Sequence, residues 1–275
     1  MIRHLSACFL VCAGMPLLSI AQADPHSWNG HQSAVVLTYD DAVDIDLDHV
    51  APALDSFGLK GTFYLIGSSP SISRRMQEWK KLAAEGHELG NHTSFHPCDS
   101  RKPGRGFVKP DTDLSRYSLS RMTAETRFTN TLLAAMDGDS IRTFAFPCGD
   151  KTIHDTPYYP LVQKAFIAAR GVTAGMETID QVNLDDVKAY SIQNQPGSYL
   201  IDLVNQAIKS NSLLVFLFHG VGGGHAINES SAAHRELLNY LYQHRQEVWT
   251  TTLRDVALYI RAQRKRAGNP VPKKM

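Results

Sequence analysis

The sequence predicts an α/β fold in a single domain, with a mainly parallel sheet closed into a (β/α) barrel or a distorted relative of one. Short apolar runs at Ala34–Tyr39, Thr62–Ile66, Arg142–Phe146 and Ser212–Phe218 are rich in β-branched or aromatic residues. They carry no charge after the first residue, as expected of strands covered on both faces. Stretches of helical period alternate with and follow them: Leu47–Ser56, Arg74–Glu85, Thr123–Met136, Tyr158–Ala169, Tyr199–Lys209, Ala232–Gln246 and Leu253–Arg264. Strand and helix alternating over about 230 residues is the pattern of parallel strands joined by crossover helices. The 275 residues suffice for one large domain with a sizeable core.

Ahead of the first strand, Arg3 precedes a nearly unbroken apolar run, Leu5–Ile20, which ends in Ala21-Gln22-Ala23 and the polar Asp24. This predicts a secretory signal peptide over residues 1–23, followed by a linker over 24–33. A retained N-terminal anchor is the alternative; the run is short for a membrane span, and no later stretch qualifies as one. The expected location is secreted or periplasmic. Cleavage would leave 27 basic and 27 acidic residues, a balance that gives no reason to expect nucleic acid or an anionic membrane as partner. It would also leave two cysteines, Cys98 and Cys148, and such a pair in an exported chain predicts a disulfide. At the other end, Arg261, Arg264, Lys265, Arg266, Lys273 and Lys274, with no acid after Asp255, read as a solvated basic terminus, with weak attachment to an anionic polymer as the alternative; the tail is set at 263–275 beyond a domain at 34–262.

The first strand runs into Asp40-Asp41. Adjacent carboxylates at the C-terminal end of a barrel strand lie where active sites are assembled, and they repel unless a cation or a proton separates their duties. Next, His92 and His96 are four residues apart, a spacing that can place two imidazoles on one metal. His87-Glu88 hints at a zinc-protease helix, but that pattern needs histidine where this chain has Asn91. Pro97–Ser120, with Pro103, Gly104, Gly106 and Pro110, is too long and polar for an ordinary connection; loops of this length tend to be functional or disordered. The run Phe144-Ala145-Phe146-Pro147-Cys148-Gly149 is a strand entering a tight turn that could aim a backbone N–H at an oxyanion. Last, His219 follows a buried strand and precedes Gly220, a place suited to an exposed but fixed acid or base.

Taken together and in this order, these elements resemble the polysaccharide deacetylases, the NodB-type family also called carbohydrate esterase family 4. The motif Thr-Phe-Asp-Asp-Gly is similar to Thr38-Tyr39-Asp40-Asp41-Ala42, His-Ser/Thr-x-x-His-Pro is matched by His92–Pro97, and Leu-x-His by Leu217-Phe218-His219. Gly61-Thr62-Phe63-Tyr64 and Trp249–Leu253 extend the likeness over roughly residues 34–260. The resemblance implies a distorted (β/α) barrel and removal of N-acetyl groups from an amino-sugar polymer or oligosaccharide. O-acetyl esterase action and a catalytically dead carbohydrate-binding protein are the alternatives. It implies a divalent metal, zinc before cobalt, nickel or iron, held by Asp41, His92 and His96. Asp40 would be the base, His219 the acid, and the Cys148 N–H part of an oxyanion hole. Pro147, Gly149, Phe107 and Tyr117 are candidate substrate contacts.

The chain departs from the family pattern in its third motif, where Cys148 also replaces an aromatic residue, and in lacking a clear fourth. The third motif, Arg-Pro-Pro-Tyr-Gly, carries an arginine that orients the catalytic aspartate, and its position is Ala145 here. Arg142 lies an odd number of residues away along a strand, so its side chain is expected on the opposite face. Asp185 is the nearest candidate for the acid that supports the motif arginine. A Cys98–Cys148 bridge would tie the metal-binding loop to the oxyanion turn.

Overall fold

The computed structural model describes residues 27–266 and 268. The signal peptide expected over 1–23 and the end of the basic tail lie outside the described residues. Eight strands form one sheet: β1 (Ser33–Asp40), β2 (Thr62–Leu65), β3 (Glu88–Asn91), β4 (Thr143–Ala145), β5 (Ala168–Arg170), β6 (Tyr190–Ser191), β7 (Leu213–Phe218) and β8 (Val248–Thr250). Their order is β5-β4-β3-β2-β1-β7-β6, every pairing is parallel, and β8 pairs the first half of β1 while β2 pairs the second. The segment leading into β6 hydrogen-bonds the free edge of β5, through Ala169 N–H to Leu184 O and Val187 N–H to Ala169 O. The sheet thereby curls into the distorted (β/α) barrel that the sequence predicts.

Six helices accompany the strands: α1 (Ala51–Ser56), α2 (Pro70–Ala84), α3 (Leu119–Asp137), α4 (Gly197–Ser210), α5 (Ser231–Gln243) and α6 (Leu253–Arg266). Their starts follow local chemistry. Ser69, Ser118 and Ser230 each accept a backbone N–H with the hydroxyl, and α2 adds proline at its first turn. The helix expected over Tyr158–Ala169 does not form. Pro160 has no N–H to give an α-helical turn, and two short 3₁₀ turns, Tyr159–Leu161 and Gln163–Ala165, lead into β5 instead. The helical spacing of Tyr158, Tyr159, Val162 and Phe166 reflects their packing into one buried aromatic cluster with Phe144 and Phe146.

Strand parity decides which side chains reach the barrel interior. On β1, Val35, Leu37 and Tyr39 pack outward against α1, α2, α4 and α5, whereas Ala34 and Val36 point inward to a cluster closed by Leu253, Val256, Ala257 and Ile260 of α6. Asp40 shares the parity of Ala34 and Val36. On β7, Leu213, Val215 and Leu217 belong to the inner cluster, so His219 continues inward. On β4 and β5, Ala145 and Ala168 are inner residues, which turns Arg170 inward and Arg142 outward.

The ends of the domain are more structured than expected. Trp28 is fully buried and its indole N–H donates to Asn211 O, so residues 27–33 pack on the domain rather than forming a linker. The final helix runs to Arg266, and Arg264 donates to Ile179 O and Val182 O, so the first residues of the expected tail belong to the fold.

Candidate active site

At the C-terminal end of the sheet, a cavity of about 430 Å³ is lined by Asp40, Asp41, His92, His96, Arg105, Phe107, Phe146, Cys148, Val172, Ser191, Leu217, His219, His225 and Ile227. All five residues expected to carry chemistry line it. The backbone around them is strained: Asp41 (φ 80°), Ala42 (φ 53°), Thr93 (φ 62°), His96 (φ 50°) and Cys148 (φ 54°) occupy left-handed conformations that cost L-residues energy. Each lies where the chain leaves a strand or enters a turn beside the cavity.

Asp41 Oδ1 is 3.6 Å from both His92 Nε2 and His96 Nε2, and the three candidate ligand atoms lie within 4.8 Å of one another. Asp41 Oδ1 is buried with no hydrogen-bond partner among the described residues. His92 is fixed by its other nitrogen, Nδ1, which lies 2.9 Å from Ala145 O; donation there leaves the Nε2 lone pair facing Asp41. Burial lowers the pKa of His92 to about 4, so the ring is neutral near pH 7. One unpartnered carboxylate oxygen and two imidazole nitrogens, one with its lone pair exposed, fit a divalent cation and leave coordination positions for other groups.

Asp40 is held differently. Arg170 Nη2 donates to both Asp40 oxygens at 2.5 Å, in a pair that is almost completely buried. Burial alone would raise the carboxyl pKa, but Arg170, His92 and His219 outweigh it and hold the group below the ordinary value of 3.8. The guanidinium also stands over the Tyr64 ring, 5.1 Å from its centroid. This arginine was not identified from the sequence. Ala145 and Arg170 are directly opposite in the β4–β5 register, so the guanidinium has moved one strand across from the third-motif position.

The other candidates for that support do not reach the site. Arg142 faces outward, as its parity requires, and binds the Asp137 carboxylate and Leu89 O. Asp185 accepts from Gln163 and makes no contact with Arg170, whose Nε has no partner among the described residues.

His219 is largely buried, which lowers its pKa despite the attraction of Asp40 and Asp41, and its Nδ1 has no hydrogen-bond partner among the described residues. Cys98 and Cys148 form the expected disulfide, joining the loop after His96 to the turn after β4. The long loop is tied down further. Lys102 pairs with Asp150, Asp150 accepts the Asp99 N–H, and Arg105 donates to Cys148 O at 2.8 Å. Phe107 lines the cavity and remains 64% exposed. Tyr117 does not line it: the ring is buried beneath Arg121 in the aromatic cluster. Pro147 is buried and Gly149 turns the chain at φ 70° against Val172, so both shape the turn rather than line the cavity.

With this geometry in view, residues 28–159 match the polysaccharide deacetylase family profile. That segment, 132 of the 275 residues, is of the polysaccharide deacetylase type. Among curated proteins, a gellan lyase of a Bacillus species is 27% identical over 256 residues, 82% of this chain and 9% of that one. A peptidoglycan-N-acetylglucosamine deacetylase of Bacillus cereus is 35% identical over 72 residues, 24% of each chain. The matched segments thus cover a quarter of these relatives' lengths or less. Among solved structures, a Mycobacterium smegmatis protein assigned as a polysaccharide deacetylase superposes with a TM-score of 0.63 at 15% identity, covering 86% of this chain and 93% of that one. The PuuE allantoinase superposes with a TM-score of 0.59 at 12% identity, over 92% and 98%. These structural likenesses establish the shared deacetylase-type barrel.

Proposed function

We propose that this protein is a secreted or periplasmic metal-dependent hydrolase that removes N-acetyl groups from an amino-sugar polysaccharide or oligosaccharide. The observation that carries the proposal is the division of labour within Asp40-Asp41. One carboxylate is locked on a buried arginine, and its neighbour turns an unpartnered oxygen toward two histidines. The Cys98–Cys148 bridge supports export, since disulfides persist in oxidising compartments.

Asp41, His92 and His96 would hold the metal, zinc being the first candidate among cations that accept imidazole and carboxylate. Bound there, a divalent metal supplies electrophilic polarisation of an acyl carbonyl and lowers the pKa of the hydrolytic water towards ~7. Asp40, kept ionised by Arg170, accepts the proton that the water gives up as it attacks the acetyl carbon. The turn at Cys148 faces the cavity where a backbone N–H can meet the developing oxyanion, a contact typically worth ~3–4 kcal/mol. His219 stands at the cavity wall to protonate the leaving amine nitrogen, and its lowered pKa favours release of that proton. Phe107, with Arg105 at its side, offers a flat apolar face to a sugar ring.

Acetate release from N-acetylglucosamine oligomers, compared with O-acetylated xylan, tests the substrate class. The expected result is release from the amino sugar in preference to xylan, with His219→Ala impairing the amide more than the ester because an amine leaves only when protonated. Preference for xylan would establish the O-acetyl esterase instead. Release from neither set by metal-loaded protein would favour a binding role on the same scaffold.

A further inference from the structure

Five residues past His219's neighbour Gly220, the chain returns a second imidazole to the cavity. His225 lines it beside His219, with the two rings nearly parallel, at 14°, and their centroids 4.9 Å apart. Its Nε2 lies 3.4 Å from Asp41 Oδ2, the carboxylate oxygen turned away from His92 and His96. The tautomer is favoured from behind: Ile227 N–H donates to His225 Nδ1 at 3.0 Å, closer than Ile227 O at 3.3 Å, which places the proton of the neutral ring on Nε2, facing Asp41. A protonated Nε2 cannot ligate a metal. It can hold the second oxygen of a carboxylate whose first oxygen does.

The loop that carries His225 is rigidly built. Gly220 and Val221 pair with Asn228 and Glu229, Gly222 N–H donates to Glu229 O, and Gly223 N–H donates to Asn228 Oδ1. The chain folds back so closely that a Cβ at Gly220 would lie 2.2 Å from Gly223 O and 2.9 Å from His225 N. A Cβ at Gly224 would likewise collide with Ile45. Such packing at Gly220 and Gly224 fixes the position of His225 and leaves no room for a larger residue at either place.

We infer that His225 is a positioning residue that orients Asp41 for metal binding and buttresses the His219 ring. The inference rests on the metal reading of Asp41, His92 and His96 given above. Partners of this kind typically change metal affinity by about 10–100-fold when removed.

The test is the zinc affinity of the full chain, measured by competition with a chromophoric chelator, alongside thermal unfolding of the metal-free protein. His225→Ala is expected to weaken zinc binding by about 10–100-fold without lowering the unfolding midpoint of the metal-free protein. His225→Gln, whose amide N–H can occupy the Nε2 position, is expected to restore most of the loss. Gly220→Ala, which leaves the imidazole present but displaces its loop, is expected to weaken zinc binding as His225→Ala does. Unchanged affinity in His225→Ala would overturn the inference. So would a His225→Gln variant as weak as His225→Ala, because the imidazole would then be a ligand itself. Failure of the unsubstituted chain to bind zinc would overturn the metal reading and this inference together.

Discussion

Asp40→Asn is expected to abolish hydrolysis, lowering kcat by about two to four orders of magnitude, the range over which a positioned general base contributes. The substitution keeps the volume and one oxygen for Arg170, so the fold should survive, but the amide cannot accept a proton. Because Asp41, His92 and His96 are untouched, zinc affinity should stay near that of the unsubstituted chain. That separation distinguishes a base from a ligand. If Asp40→Asn lost metal binding as fully as activity, the duties assigned to Asp40 and Asp41 would be wrong. If it kept most of its activity, another group would be the base.

The second large effect is expected at Arg170. Arg170→Met removes one partner of a buried ion pair and strands the Asp40 carboxylate in the barrel interior, which typically costs about 3–5 kcal/mol. Denaturant unfolding at neutral pH should show that loss. The sign of the pH effect follows from the direction of the shift. Asp40 is held below 3.8 in the folded chain, so the pair's contribution to stability is present above the ordinary carboxylate pKa and disappears as pH falls through the folded value. Removing Arg170 lets burial dominate and raises that pKa, so the acid limb of the pH–rate profile should move to higher pH. An Arg170→Met protein with normal stability and an unmoved acid limb would show that Arg170 does not support the base.

Arg170 also shows where the sequence stops being legible. Asp40, Asp41, His92, His96 and His219 each follow an apolar run or sit in a recognisable local pattern, and strand parity alone turns Asp40 and His219 toward the barrel interior. Arg170 has the same grammar, two alanines then a charged residue then Gly171, but β5 is only three residues long and lies behind an aromatic run with helical spacing. Its contact with Asp40 spans 130 residues of chain, so no local signal announces it. The β4–β5 register does, because it sets Arg170 beside Ala145, the position where the resemblance made an arginine conspicuously absent. His225 was hidden for a related reason: a glycine-rich turn reads as a loop until its hydrogen bonds show what it holds. Tyr117 failed in the opposite direction. Its loop is polar, but the ring packs under Arg121 rather than facing the cavity.

The strands were legible where they were long and apolar. β1 and β7, at eight and six residues, stood out. β3 escaped notice because Glu88, Gly90 and Asn91 are not strand-like residues. They are required by contacts instead. Gly90 lies against the Tyr64 ring, where a Cβ would approach to 2.4 Å, and Glu88 accepts from Thr62 and Thr143 hydroxyls in the neighbouring strands.

The central claim is that Asp41, His92 and His96 hold a metal on which hydrolysis depends. The most direct measurement is acetate release from N-acetylglucosamine oligomers by the full chain, first stripped of metal with a chelator and then titrated with zinc. The account predicts no release from the stripped protein and recovery that saturates at one zinc per chain, with Asp41→Ala failing to recover. Release at the full rate from the stripped protein, or recovery undiminished in Asp41→Ala, would contradict it.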